Sequence, residues 1–270
     1  MKQLNKLLMI AFIAASFAFP CYASKIIMEG STTVLPIAQR AAEVYMDNNR
    51  GVDISVRGGG SSVGIASLID GTCDIADASR AIKSSELEKA ISNGQDPVAH
   101  VVAMDGIAVI VNPSNKFSAL SKKEVKAIFT GQISDWSQLG KGSGKIVAIS
   151  RDSASGTYEA FGELVLEKQK PRADALLQAS NQAVAQTVAR TPGAIGYVGL
   201  GYVNSSVKAL EIDGVMPSRE TVLAGTYPVG RPLFMYTNGK PQGEIKDFMD
   251  FIKSAQGQEI AEGEGFVGLK

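Results

Sequence analysis

An apolar strand, a loop of serine, threonine and glycine, and an amphipathic helix follow one another three times along this 270-residue chain. Lys25 to Met28 reads as a buried strand, Ser31-Thr32-Thr33 as its loop, and Val34, Ile37, Ala38, Ala41 and Tyr45 as one face of a helix. Asp53 to Arg57 alternates as a second strand; Gly58-Gly59-Gly60-Ser61-Ser62 follows, then a helix carrying Ile65, Leu68 and Ile69 on one side. Ile146 to Ile149 is the third strand, and Arg151-Asp152-Ser153-Ala154-Ser155-Gly156-Thr157 leads into a helix faced by Phe161, Leu164 and Val165. Strands alternating with helices imply an α/β architecture with largely parallel sheets.

The loops carry chemistry as well as connection. The first turn of a helix leaves backbone N–H groups without partners and holds a partial positive charge, so three converging helix starts make an anion site without net basic charge. Hydroxyls add neutral donors, and glycine lets the backbone approach closely. A single such serine or threonine is ordinarily only a helix cap; three units in one chain point to a ligand. Two arginines, Arg80 and Arg151, each follow an apolar strand, Cys73 to Ala76 and Ile146 to Ile149, at the carboxyl edge where open α/β sheets bind ligands. Each guanidinium either grips an oxyanion or pairs with the acidic residue nearby, Asp77 or Asp152.

The first residues place the chain outside the cytoplasm. Lys2 and Lys6, the apolar run from Leu7 to Phe19 and the ending Pro20-Cys21-Tyr22-Ala23 form a signal peptide over residues 1–23, cleaved after Ala23. Pro20 argues against Cys21 as an acylated lipoprotein residue. Losing Lys2 and Lys6 takes the 27 basic residues to 25 against 27 acidic ones, a nearly neutral balance that suggests no nucleic-acid partner. Cys73 is then a lone buried thiol, and a single histidine, His100, rules out a His-rich metal site. Neither a metal nor a cofactor is expected.

Gly60-Ser61-Ser62-Val63-Gly64 matches the G-x-S-x-G nucleophile elbow between strand and helix. A hydrolase would need Ser62, Asp74 or Asp77, and His100 to form a triad from one short stretch. Nucleotide loops are absent: Val63 stands where a dinucleotide loop has its third glycine, and Gly144-Lys145 is followed by Ile146 where a P-loop needs serine or threonine.

Gly30-Ser31-Thr32-Thr33, the loop from Gly58 to Ser62, Asp74-Ile75-Ala76-Asp77-Ala78-Ser79-Arg80, the segment from Arg151 to Thr157 and Pro192-Gly193-Ala194-Ile195-Gly196-Tyr197 occur in this order. Together they resemble the PstS family, the phosphate-binding proteins of ABC importers, over essentially the whole mature chain. The resemblance implies a class II, two-lobed periplasmic binding protein fold with two crossovers: lobe 1 from residues 24–105 and 229–270, lobe 2 from 106–228. It implies a non-enzymatic, monomeric protein of the periplasm or extracytoplasmic space that carries inorganic phosphate to a membrane permease. The implied binding set is Thr32, Ser61, Ser79, Arg80, Arg151, Ser155, Gly156 and Thr157. Many relatives have an aspartate where this chain has Arg80, accepting a proton from phosphate; Asp77 is the carboxylate at hand to replace it. The alternatives are another tetrahedral oxyanion, sulfate or molybdate, and an exported serine hydrolase.

Overall fold

The computed structural model describes residues 24–140 and 142–269; the expected signal segment, with Cys21, lies outside them. The chain runs β1 (Ser24–Gly30), α1 (Leu35–Asn48), β2 (Val52–Gly58), α2 (Ser61–Ile69), β3 (Ile75–Ala78), α3 (Ser84–Ser92), β4 (Pro97–Val111), β5 (Ala119–Leu120) and α4 (Lys122–Phe129). It continues through β6 (Val147–Arg151), α5 (Gly156–Leu164), β7 (Leu176–Gln178), α6 (Asn181–Arg190), β8 (Ala194–Gly199), β9 (Lys208–Ala209), β10 (Glu211–Ile212), α7 (Arg219–Leu223), β11 (Gly230–Asn238), α8 (Gly243–Lys253) and α9 (Ala255–Gly263). Among these residues no helix is long and apolar enough to cross a membrane.

The strands follow the order β2-β1-β3-β11-β4-β8-β6-β7. The pairs β1–β2, β1–β3, β6–β7 and β6–β8 are parallel, as strand–helix alternation requires. The sheet is nevertheless mixed, which corrects the expectation of largely parallel sheets. The two strands that run through its middle, β4 and β11, pair antiparallel with β3, β8 and each other. Apolar periodicity carries no information about strand direction, so this arrangement was not legible beforehand.

Strand β4 joins two cores. Its residues up to Gly106 pair with β11, and those from Ile107 onward pair with β8. Val102 and Ala103 pack with Met28, Ile37, Leu233 and Phe248, while Ile107, Val109 and Val111 pack with Phe129, Trp136, Phe161 and Tyr197. Within the second core Phe161 lies flat on Tyr197, ring centroids 3.9 Å apart, and Phe129 meets Phe161 edge-on at 5.0 Å. Each such buried aromatic contributes ~1.5–3 kcal/mol by removal from water. The result is a two-lobed α/β fold in which β4 runs from one core into the other.

Element ends shift in two informative places. Strand β3 begins at Ile75 rather than Cys73, because the Asp74 carboxylate turns back to accept the Ile27 N–H at 2.8 Å. Strand β6 extends through Arg151, which pairs in register with Gln178 of β7. Arg151 is thus anchored to the sheet. Cys73 is buried, and desolvation, with Glu29 and Asp77 nearby, pushes its thiol up to about 12, an inert state at neutral pH.

Candidate functional site

Three helix starts meet where the lobes touch. At α1, Ser31 Oγ accepts the N–H groups of Thr33 and Val34 at 3.1 and 3.4 Å, which makes Ser31 the local cap and leaves the Thr32 and Thr33 hydroxyls for other partners. At α2, Ser61 is the first helical residue and its hydroxyl accepts the Ser79 N–H at 3.0 Å. At α5, Ser155 caps the helix through the Tyr158 N–H at 3.2 Å, so its hydroxyl is engaged locally. As first-turn amides, the N–H groups of Ser61, Gly156 and Thr157 have no intrahelical acceptor.

Contacts between the lobes close this cluster. Thr33 Oγ1 and Thr157 Oγ1 are 2.9 Å apart, and the Ser62 N–H donates to Ala154 O at 3.1 Å. The approach is close enough that glycine is required at 156. A Cβ there would lie 2.2 Å from Ser61 Oγ and 2.7 Å from Ser79 Oγ. Thr32, Ser61, Ser79, Arg151, Ser155 and Thr157 are all buried, and all but Ser79 and Arg151 stand at helix starts.

Three arginines surround the cluster, and their partners separate their roles. Arg151, 1 % exposed, donates from Nε to Gln178 O at 3.0 Å and from Nη2 to Ala179 O at 3.0 Å and Thr32 Oγ1 at 3.3 Å. Among the described residues no carboxylate forms an ion pair with it. Burial lowers its affinity for its proton, yet a guanidinium stays charged in a protein. Arg231 is different: Nε and Nη2 both donate to Asp105 Oδ2, at 2.9 and 2.8 Å, forming a buried, neutralised pair. Burial raises the Asp105 carboxyl, against the pull of Arg231 and the Leu200 N–H. Arg231 also reaches Ser79 O, Thr33 Oγ1 and Thr157 Oγ1, at 3.0, 3.3 and 3.0 Å.

Arg80 faces carboxylates and the Ser62 hydroxyl. It makes a two-pronged bond to Glu86, 2.7 and 2.8 Å, and its Nε stands 2.8 Å from Glu159 Oε2. The sequence reading placed Arg80 among the anion's donors, with Asp77 as its competing partner. Its ion pairs are with Glu86 on the next helix and Glu159 on α5, not with Asp77.

The Asp77 carboxylate has neither Arg80 nor a hydrogen bond among the described residues. Paired in register with Gly30 and Met235, it keeps both carboxylate oxygens buried without a partner among the described residues. Burial pushes its pKa well up. A raised folded-state pKa stabilises the protonated form, so this contribution is fully present below the ordinary carboxylate pKa and fades as pH rises through the folded value. Asp77→Ala is therefore expected to raise Tm more at about pH 8 than at about pH 5. An equal shift at both would show that Asp77 is not held protonated.

Asn181 and Arg231 were missed. Asn181, fully buried at the start of α6, donates to Thr32 Oγ1 and Thr33 Oγ1 at 3.2 and 3.0 Å and accepts the Gly199 N–H at 3.1 Å. Its signal was faint, since the preceding β7 exposes Leu176 and Leu177 and shows no buried periodicity. Arg231 had a readable signal: a charge just ahead of the otherwise apolar run Pro232 to Tyr236. The hydrolase geometry is absent. Ser62 Oγ donates to Glu159 at 3.1 Å, whereas His100 Nε2 contacts Thr237 Oγ1 at 2.9 Å and Nδ1 contacts Lys253.

Residues 20–256 match the model of a PBP superfamily domain. The chain is 35 % identical over 242 residues to the phosphate-binding protein PstS of Bacillus subtilis, covering 89 % of this chain and 79 % of that one. It is 33 % identical over 253 residues to PstS of Borreliella burgdorferi, covering 89 % and 88 %. The chain belongs to the PstS family. Among solved structures of similar proteins, a proposed phosphate ABC transporter substrate-binding protein from Clostridium perfringens, with bound phosphate, superposes with a TM-score of 0.86 at 32 % identity, covering 92 % of this chain and 100 % of that one. An ABC-type phosphate transport receptor from Vibrio cholerae gives 0.75 at 29 % identity, covering 90 % and 100 %.

Proposed function

We propose that this protein binds inorganic phosphate in the cleft between its lobes, outside the cytoplasm, and delivers it as a monomer to the membrane permease of an ABC importer. The observation that carries this reading is Arg151: a buried cation surrounded by carbonyl and hydroxyl groups, for which an anion is the missing compensation. Phosphate fits the geometry, because Arg151 Nη1, which has no protein partner among the described residues, can donate to an oxyanion beside the charge while helix-start amides supply the remaining donors. The binding set is Thr32, Ser61, Ser79, Arg151, Gly156 and Thr157, with Ser155 holding the α5 start and Thr33 and Asn181 completing the wall. Lobe 1 comprises residues 24–105 and 229–270 and lobe 2 residues 106–228, and capture proceeds by hinge closure at β4 and β11. The cycle needs no covalent step, and the protein acts as a carrier, not an enzyme.

A second reading, another tetrahedral oxyanion, is favoured by one detail. Asp105 is already taken by Arg231, and burial drives the Asp77 carboxyl toward its protonated form, so a proton on phosphate would have to be accepted by a hydroxyl such as Ser61 or Ser79. Calorimetry on unfolded, phosphate-stripped and refolded protein separates the readings. Tight phosphate and weak sulfate binding is expected; comparable sulfate affinity would remove the phosphate preference, and no binding of either would remove the function.

A further inference from the structure

The Glu159 carboxylate, on the lobe that carries Arg151, is inserted among three groups of the other lobe. Arg80 Nε lies 2.8 Å from Oε2, Lys83 Nζ 2.7 Å from the same oxygen, and Ser62 Oγ donates to Oε1 at 3.1 Å. The Ser62 hydroxyl also accepts from Arg80 Nη2 at 2.9 Å, so it ties the two charges together. The Arg80 and Glu159 side chains are only 7 % and 15 % exposed, unlike an ordinary surface pair.

Arg80 is held ready on its own side. Glu86 takes two of its N–H groups and Ala81 O accepts a third bond at 2.9 Å. Burial alone would raise the Glu86 carboxyl, but the bonds from Arg80 and the Lys83 N–H outweigh it and hold Glu86 below its ordinary value. The socket is therefore preformed within one lobe, and Glu159 is the part that arrives with the other.

Each member of this contact is adjacent to a member of the anion cluster. Ser62 follows Ser61, Arg80 follows Ser79, and Glu159 lies one helical turn beyond Gly156 on α5. A rigid movement that brings the α5 start onto an anion therefore also brings Glu159 into its socket.

We propose that Glu159 is a positioning residue: it latches the closed lobes through Arg80, Ser62 and Lys83, and so sets how long the bound anion is retained without touching it. The proposal rests on the phosphate-carrier reading. A latch made only after closure acts on escape more than on entry, so its removal shows in the off-rate.

The test compares wild type with Glu159→Gln, a change of charge with little change of shape. Stopped-flow phosphate binding is expected to show an off-rate increased about tenfold or more, with the on-rate within about threefold, the range expected when a partner of a desolvated charge pair is neutralised. Ser62→Ala, which deletes the hydroxyl joining the charges, is expected to move the off-rate in the same direction. The Tm of the ligand-free variants shows that each is folded. Small-angle scattering of phosphate-saturated protein is the second readout, with a larger radius of gyration expected for Glu159→Gln. Wild-type off-rate and wild-type radius in both variants would overturn the latch. If wild type itself fails to bind phosphate, the carrier reading falls; tight wild-type binding with unchanged variant off-rates overturns the latch alone.

Discussion

Arg151→Ala is expected to weaken phosphate binding by about 2–5 kcal/mol, the loss associated with truncating one partner of a buried charge pair. At 1.4 kcal/mol per factor of ten, this raises Kd by roughly 30-fold to several thousand-fold. The prediction follows from what surrounds the guanidinium. Gln178 O and Ala179 O fix its plane, Thr32 holds one end, and no carboxylate among the described residues balances its charge. Arg151→Lys is expected to recover only part of the loss, because a point charge on a flexible stem cannot reproduce a planar donor held in place by Gln178 O, Ala179 O and Thr32 Oγ1. Folding is a separate question: removing an uncompensated buried cation relieves desolvation, so the ligand-free Tm is not expected to fall with the affinity. An unchanged Kd would remove Arg151 from the site.

Arg231→Met is expected to act the other way round, on stability first. Asp105 is fully buried and receives two bonds from Arg231. Removing the arginine leaves a buried carboxylate without its counter-ion, a loss of about 3–5 kcal/mol for such a pair. Arg231 and Asp105 are also register partners on the two connecting strands, and the guanidinium touches Ser79, Thr33 and Thr157 from both lobes. The damage therefore falls at the junction of the lobes. Urea denaturation measures it, and the double variant Asp105→Leu with Arg231→Met is expected to regain most of the lost stability because the orphaned charge is gone. A destabilisation of Arg231→Met below about 1 kcal/mol would mean that the pair is solvated or relaxed.

What was legible in the sequence was what repeats locally. The α1 face of Ile37, Ala38, Ala41 and Tyr45 is buried as its spacing requires, as are Ile65, Leu68 and Ile69 of α2. The serine and threonine loops do stand at helix starts that meet across the lobes. Partner choice was not legible, because it depends on distant residues. Arg80 and Arg151 both follow an apolar strand in a polar loop, and nothing local distinguishes them. Glu159, 79 positions beyond Arg80, makes the difference. Asp77 likewise looks like a surface neighbour of Arg80 in one dimension, although β3 buries it. Asn181 was hidden by the exposed strand before it, and Arg231 by a reading that treated an apolar run only as core.

In the proposed phosphate site, the three helix starts act together with the uncompensated Arg151 charge. Crystallography of the phosphate complex tests it most directly. The anion is expected within hydrogen-bond distance of the Arg151 guanidinium, the Thr32 hydroxyl and the amides of Ser61, Gly156 and Thr157, with Arg80 on Glu86 and Glu159. Phosphate bound to Arg80 with Arg151 uninvolved, or bound away from the helix starts, would contradict it.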